Sequence, residues 1–156
     1  MAHKNIDAVV RAFEALPHER LVVAGDGPEL DRLRNLGGRN VRILGHVDDA
    51  QLRWLFANAR GLVAASREDF GLTPLEAASF GLPSALLRFG GFLDTMVEDE
   101  TATFFDEPVP AQVADAVRRL GTTRWSTERI QQNAARFSED RFVRRLREIV
   151  AEESRA

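Results

Sequence analysis

Apolar residues along residues 5–16, NIDAVVRAFEAL, fall at Ile6, Val9, Val10, Phe13 and Leu16. That spacing predicts a helix with one buried face, ended by Pro17. The period then changes. RLVVAG, at 20–25, is a short apolar run closing on Gly25, as in a strand buried in a parallel sheet. Residues 26–38, DGPELDRLRNLGG, return to helical spacing at Leu30, Leu33 and Leu36, with Pro28 near the start and Gly37-Gly38 as the stop. NVRILG, at 40–45, predicts a second strand. Asp48 or Asp49 can cap the next helix, which carries Leu52, Leu55, Phe56 and Ala59 on one side. GLVAAS (61–66), LPSALLRF (82–89) and TATFF (101–105) predict three more strands. A helix lies between the first two of these, and a turn with a short helix, GGFLDTMVEDE, before the last. Residues 110–120 predict a helix with Val113, Ala116, Val117 and Leu120 inward, and two polar helices follow.

Strand and helix alternate throughout. The fold class expected is therefore α/β: one Rossmann-like domain over residues 1–156, a parallel sheet with helices on both faces. Right-handed crossovers place the strand-to-helix loops along one edge of the sheet, where open α/β sheets bind ligands. Four loops should share that rim: Gly25-Asp26-Gly27-Pro28, Gly45-His46-Val47, Ser66 to Thr73, and Phe89-Gly90-Gly91.

Composition narrows the chemistry. The 156 residues allow one ordinary domain, and 44% hydrophobic with 29% charged residues is normal for a globular fold. The net charge of −3 argues against nucleic acid as the main partner. There is no cysteine, so disulfides and thiolate chemistry are excluded, and a reducing compartment is permitted. No run of 18 apolar residues predicts a membrane helix, and the first residues do not read as a signal peptide. His3, His18 and His46 are scattered, so no metal site is expected.

The densest chemistry lies in SREDFGLTPLEAASFGLPSAL, residues 66–86, where Glu68 and Glu76 stand on either side of Phe70-Gly71-Leu72. Glu68 should lie in the loop above the third strand. Phe70 to Thr73 should form the turn into a helix with Pro74 and Glu76 in its first turn. The first amides of a helix lack internal partners, sit at the positive dipole end and can bind a phosphate. Gly71 permits close approach to the backbone. Glu76 can accept from two vicinal hydroxyls, as of a ribose, and Glu68 can reach a second polyol. A purely structural reading stands beside this one, because a glutamate in the first turn also favours the helix dipole. Paired carboxylates also invite a glycosidase reading.

The stretch resembles the donor-binding motif of retaining glycosyltransferases of the GT-B fold, in family 4. That motif is glutamate, seven residues and glutamate around phenylalanine-glycine-leucine. EDFGLTPLEA looks especially like a mannosyltransferase-like branch. KNIDAVVRAFEALP, LVVAGDGPELDRL, NVRILGHV, LRWLFANARGLVAAS, FGLP and GGFLDTMVEDETATFF fall in the order of that family's successive blocks, so the resemblance covers nearly the whole chain. It implies the C-terminal, nucleotide-sugar-binding half of a GT-B enzyme. Glu76 would hold the ribose and Glu68 the transferred hexose. The amides of Phe70, Gly71, Leu72 and Thr73 would hold sugar hydroxyls and the diphosphate. Lys4 would neutralise the diphosphate, and Gly45-His46-Val47 would lie beside the nucleobase. Glu68 and Lys4 are the residues expected to serve the reaction itself. The implied donor is of the GDP-mannose or UDP-glucose type, with no cofactor and no metal required. The acceptor, a glycan or lipid, would be reached through an N-terminal domain that this chain lacks, so the isolated domain is expected to transfer little. A cytoplasmic location is implied, with the parent peripheral at the inner face of the membrane.

The sequence departs from the family at four points. It begins inside a motif, without the family's arginine some five residues before the lysine. It lacks the N-terminal domain. It has Asp94 where a glutamate is usual and Ala102 where a glycine is usual, both read as changes at the sheet rim. Other readings are a non-enzymatic module of the same fold, a nucleotide-sugar epimerase, and a membrane-surface module through Arg141, Arg144, Arg145 and Arg147. Glu148, Glu152 and Glu153 offset those arginines and point to a solvated face. GDGP, at 25–28, lacks the third glycine of a dinucleotide fingerprint, and Leu30 stands in its place, so Asp26 reads as a turn residue.

Overall fold

The computed structural model describes residues 4–154 and follows the predicted alternation. The first helix is shorter than its apolar pattern: α1 runs Ile6–Ala12 and tightens into a 3-10 turn at Phe13–Ala15 before Pro17. Then come β1 (Leu21–Ala24), α2 (Leu30–Leu36) and β2 (Val41–Gly45). Asp48 caps α3 (Asp49–Asn58) by accepting from the Gln51 amide at 2.8 Å, and the Gln51 side chain returns a bond from the Asp48 amide. β3 is Leu62–Ala64, α4 Leu72–Ser79, β4 Ser84–Leu87, α5 Gly91–Thr95 and β5 Ala102–Phe105. The chain ends in α6 (Pro110–Thr122), α7 (Thr127–Ala135) and α8 (Glu139–Glu153).

All strand pairs are parallel, as expected, and the strands fall into two ladders. Among the described residues, β1 pairs with β2 alone, and β3, β4 and β5 form a separate ladder in that order. Hydrophobic period identifies strands; it does not say which edges meet.

Strand alternation nonetheless gives both ladders a common inner face. Leu21 and Val41, with Ala85, Leu87 and Phe105, join Val9, Val10 and Phe13 before β1, Leu33 of α2 and Val113 and Val117 of α6 in one core. On the other face, Leu86 and Phe104 pack with Ala78 of α4, Phe92 of α5 and Ile130 of α7. Phe56 of α3 joins Ala77 and Leu82 there. Helices thus cover both faces, as expected: α1, α2 and α6 on one, α3, α4, α5 and α7 on the other. α8 buries no residue. Among the described residues, no helix is long and apolar enough to cross a membrane.

Candidate functional site

Parallel strands bring the four predicted rim loops to one end of the ladders. The Gly25 amide donates to the Gly45 carbonyl at 2.8 Å, so the loops after β1 and β2 leave side by side. Asp26 accepts from the Gly27 amide at 2.8 Å, the expected turn role. The loops after β3 and β4 are tied more tightly. The Gly91 amide donates to the Glu68 carbonyl at 3.0 Å. Gly90 has a positive φ of 50°, and a Cβ there would fall on the Glu68 carbonyl oxygen. Arg67 caps the junction, its guanidinium 5.2 Å from the Phe89 ring centre.

Gly71 ends the first loop in the left-handed conformation (φ 67°) and is the N-cap of α4. A Cβ on it would stand 2.8 Å from Phe92 Cδ1. Only glycine meets both requirements without strain. Leu72 and Thr73 then occupy the first two helical positions, whose amides have no partner inside the helix. Pro74 follows and carries no amide hydrogen. The Phe70 side chain is 78% exposed and that of Leu72 63%, so both flank this amide cradle from outside.

The helix begins earlier than the sequence reading placed it, inside the segment expected to be the turn. Glu76 is therefore the fifth residue of α4, and its first turn has no acidic residue. The cause is the left-handed Gly71, which completes the turn by itself and lets helical geometry begin at Leu72. The Glu76 side chain is exposed and makes no hydrogen bond or ion pair among the described residues.

Two distant segments converge on Glu68. Lys4 Nζ lies 3.4 Å from Glu68 Oε1, both side chains partly exposed. Asn5, left-handed at φ 49°, donates through Nδ2 to the Ala65 carbonyl at 2.8 Å. The start of α1 is thereby pinned against the end of β3, and the pinning sets where Lys4 stands. Sequence reading found Lys4 only through resemblance and missed Asn5, whose sole signal is its place before the helix.

His46 is exposed and Val47 half-buried. Val47 lines an apolar groove of about 410 Å³ with Leu44, Ala50, Gln51, Trp54 and Leu55. Trp54 is 64% exposed, off the Leu52–Phe56 face, and was not singled out in the sequence. Asp94 lies in the first turn of α5, just after the rim loop, and is exposed. Ala102 does not lie at the rim. It opens β5 opposite Ser84, at the other end of the sheet, and is fully buried. Among the described residues, no group of three or more His, Asp or Glu is placed to hold a metal ion.

Comparisons with known proteins bear on the family and the fold. The family model for glycosyl transferases group 1 matches residues 1–137. Sulfoquinovosyl transferase SQD2 of Arabidopsis thaliana is 32% identical over 124 residues, 76% of this chain and 24% of that protein. The GDP-mannose-dependent alpha-(1-6)-phosphatidylinositol dimannoside mannosyltransferase of Mycobacterium tuberculosis is 31% identical over 122 residues, 76% of this chain and 32% of that protein. The chain thus spans about a quarter to a third of the length of these relatives. A solved glycosyltransferase from Rickettsia africae shares the fold with a TM-score of 0.83 at 18% identity, over 95% of this chain and 44% of that one. The pneumococcal O-GlcNAc transferase GtfA, solved with UDP and GlcNAc, does so with a TM-score of 0.76 at 21% identity, over 97% and 34%. With the fold, the glycine-capped loop and a family match over most of its length, the chain belongs to the glycosyl transferases group 1 family.

Proposed function

We propose that this chain is the donor-binding domain of a retaining glycosyltransferase that moves a hexose, mannose or glucose, from a nucleotide diphosphate sugar to an acceptor hydroxyl. The observation that carries the reading is the meeting of Lys4 and Glu68 at 3.4 Å in the loop that leads into the open amides of Leu72 and Thr73. A cation, a carboxylate and a helix N-terminus suit a diphosphate with a sugar attached. The names of the relatives support a nucleotide sugar as donor, since one is GDP-mannose-dependent and another was solved with UDP and a sugar.

In this reading Glu76 holds the ribose hydroxyls, Glu68 the hexose, and Phe70 to Thr73 the diphosphate through their amides. Gly45-His46-Val47 lies beside the base. Attack comes on the face the diphosphate leaves. The acceptor oxygen bonds to the anomeric carbon, the bond from that carbon to phosphate oxygen breaks, and the departing phosphate takes the acceptor's proton. Lys4 stabilises the charge gained by the diphosphate. No side chain of this chain serves as a general base, and no metal is required. The acceptor, a glycan or lipid, reaches the site through a further domain of a cytoplasmic parent. Glu68 and Glu76 are polyol-binding groups here, not a glycosidase pair.

A thermal-shift panel of nucleotide sugars tests the reading, with Glu76→Ala as control. A nucleotide sugar at ~100 times its dissociation constant should stabilise by about 2.7 kcal/mol, and the variant should lose most of that shift. No shift from any nucleotide sugar at millimolar concentration, or an undiminished shift in Glu76→Ala, overturns it.

A further inference from the structure

Asn5 breaks two local rules at once. Asparagine is a favoured helix N-cap because its side-chain oxygen accepts from an amide in the first turn, with the backbone extended. Asn5 is the N-cap of α1, yet it makes no side-chain cap hydrogen bond and its backbone is left-handed, at φ 49° and ψ 35°. Its carbonyl still accepts from the Ala8 and Val9 amides, at 3.1 and 3.3 Å, so the helix starts without help from the side chain. The side chain crosses instead to the Ala65 carbonyl at 2.8 Å, a partner 60 residues away. A left-handed backbone is uncommon outside glycine, although asparagine is among the residues that tolerate it. A residue that gives up local capping and takes a sparsely populated backbone answers a demand from elsewhere in the fold.

Core packing does not make that demand, since Val9 and Val10 already seat α1 in the same core as Ala65. What the Asn5 bond adds is a fixed distance between two short spans. Asn5 follows Lys4 directly, and Ala65 stands three residues before Glu68. Ala65 and Ser66 are buried, so the bond lands on a packed base. The Glu68 carbonyl is held from the other side by the Gly91 amide at 3.0 Å. The circuit closes where Lys4 Nζ meets Glu68 Oε1 at 3.4 Å. Both charged side chains are partly exposed, so their spacing depends on these anchors and not on burial in the core.

We propose that Asn5 is a positioning residue of the donor site. Its bond to Ala65 and its left-handed backbone together hold the Lys4 ammonium beside Glu68, ready for a diphosphate and its sugar. The inference rests on the donor-binding reading above. Asn5 acts through Lys4 and not by contact with the ligand. The left-handed turn lets Lys4 leave α1 toward the loop after β3, and the side-chain bond fixes how far that turn opens. A lysine placed in advance loses less freedom when an anion binds, which raises affinity without a new contact. Asn5→Gly is the informative change. Glycine takes the left-handed backbone at no steric cost, so the variant keeps the turn and removes only the bond to Ala65.

The test is calorimetry with UDP and with GDP on the parent chain, Asn5→Gly, Lys4→Ala and the double variant. Asn5→Gly should weaken binding of whichever nucleotide the parent takes by ~5- to 10-fold, and the double variant should bind no worse than Lys4→Ala alone. Losses that multiply in the double variant overturn the proposal, since Asn5 then acts apart from Lys4. So does an unchanged affinity in Asn5→Gly. A readout without nucleotide separates this inference from the reading it rests on. The Glu68 carboxyl carbon resonance should move on Lys4→Ala in the parent background and stay still on the same change in the Asn5→Gly background. Equal movement in both backgrounds overturns the proposal even where nucleotides bind. A parent chain that takes neither nucleotide overturns the donor-binding reading, and the carboxyl resonance then still decides whether Asn5 sets the pair.

Discussion

Lys4 and Glu68, far apart in sequence, form an ion pair at 3.4 Å across the start of α1 and the loop after β3. Exposed pairs of this kind contribute little to stability, about 0–1 kcal/mol. On the proposed function, the pair is two poised groups that hold each other until the donor separates them. Lys4→Ala should therefore shift Tm slightly but weaken nucleotide-diphosphate binding ~10- to 100-fold, the worth of a charge-assisted hydrogen bond. Calorimetry with the nucleotide diphosphate checks this, and an unchanged dissociation constant removes Lys4 from the diphosphate.

Gly71→Ala should destabilise the fold by about 1–3 kcal/mol, because the new methyl overpacks Phe92 in a left-handed turn. Gly27→Ala is the control, since a Cβ there meets nothing within 4 Å. Urea titration of both variants should separate them. Equal midpoints would show that the loop yields where the geometry says it cannot.

Asn40 holds the connection into β1. Its Nδ2 lies 3.0 Å from each of the carbonyl oxygens of Phe13, Leu16 and Glu19. Asn40→Asp turns a donor into an acceptor facing those three oxygens, and should cost about 2–3 kcal/mol. Asn40→Ala should cost less, since it adds no repulsion. Denaturation midpoints for the two variants give the order directly.

Arg88 bridges two carboxylates, Glu98 at 2.6 Å and Asp106 at 2.9 Å. The hydrogen bond from Arg88, helped by its charge, holds the Glu98 carboxyl below its ordinary value of 4.5. The unfolded chain then binds a proton at higher pH than the folded one. The stabilisation is present above the unfolded value and fades as pH falls through the lower, folded one. Tm should thus fall more steeply in the parent than in Glu98→Gln between about pH 5 and pH 3. Parallel curves from scanning calorimetry would count against the pairing.

Much of this was legible in the residues. The apolar periods of residues 5–16, 20–25 and 110–120 each gave the element observed, because burial on one face leaves a periodic trace in a linear chain. The capping of α3 by Asp48 and the turn at Asp26 were readable for the same reason, since their partners are one to three residues away. Gly71 could be named as a site of close approach, but not its neighbour Phe92, which comes from another loop.

The sequence by itself thus determined the elements, their α/β alternation, the loops that meet at the rim and, through resemblance, the family. Only the tertiary structure decided that Lys4 reaches Glu68, that Asn5 pins α1 to β3, that Glu76 begins the second turn and that Ala102 lies away from the rim. It also decided that the strands form two ladders. The physical reason is common to all of these. Periodicity and caps are local constraints and repeat within a few residues, whereas edge pairing and contacts between loops depend on how distant segments share one core.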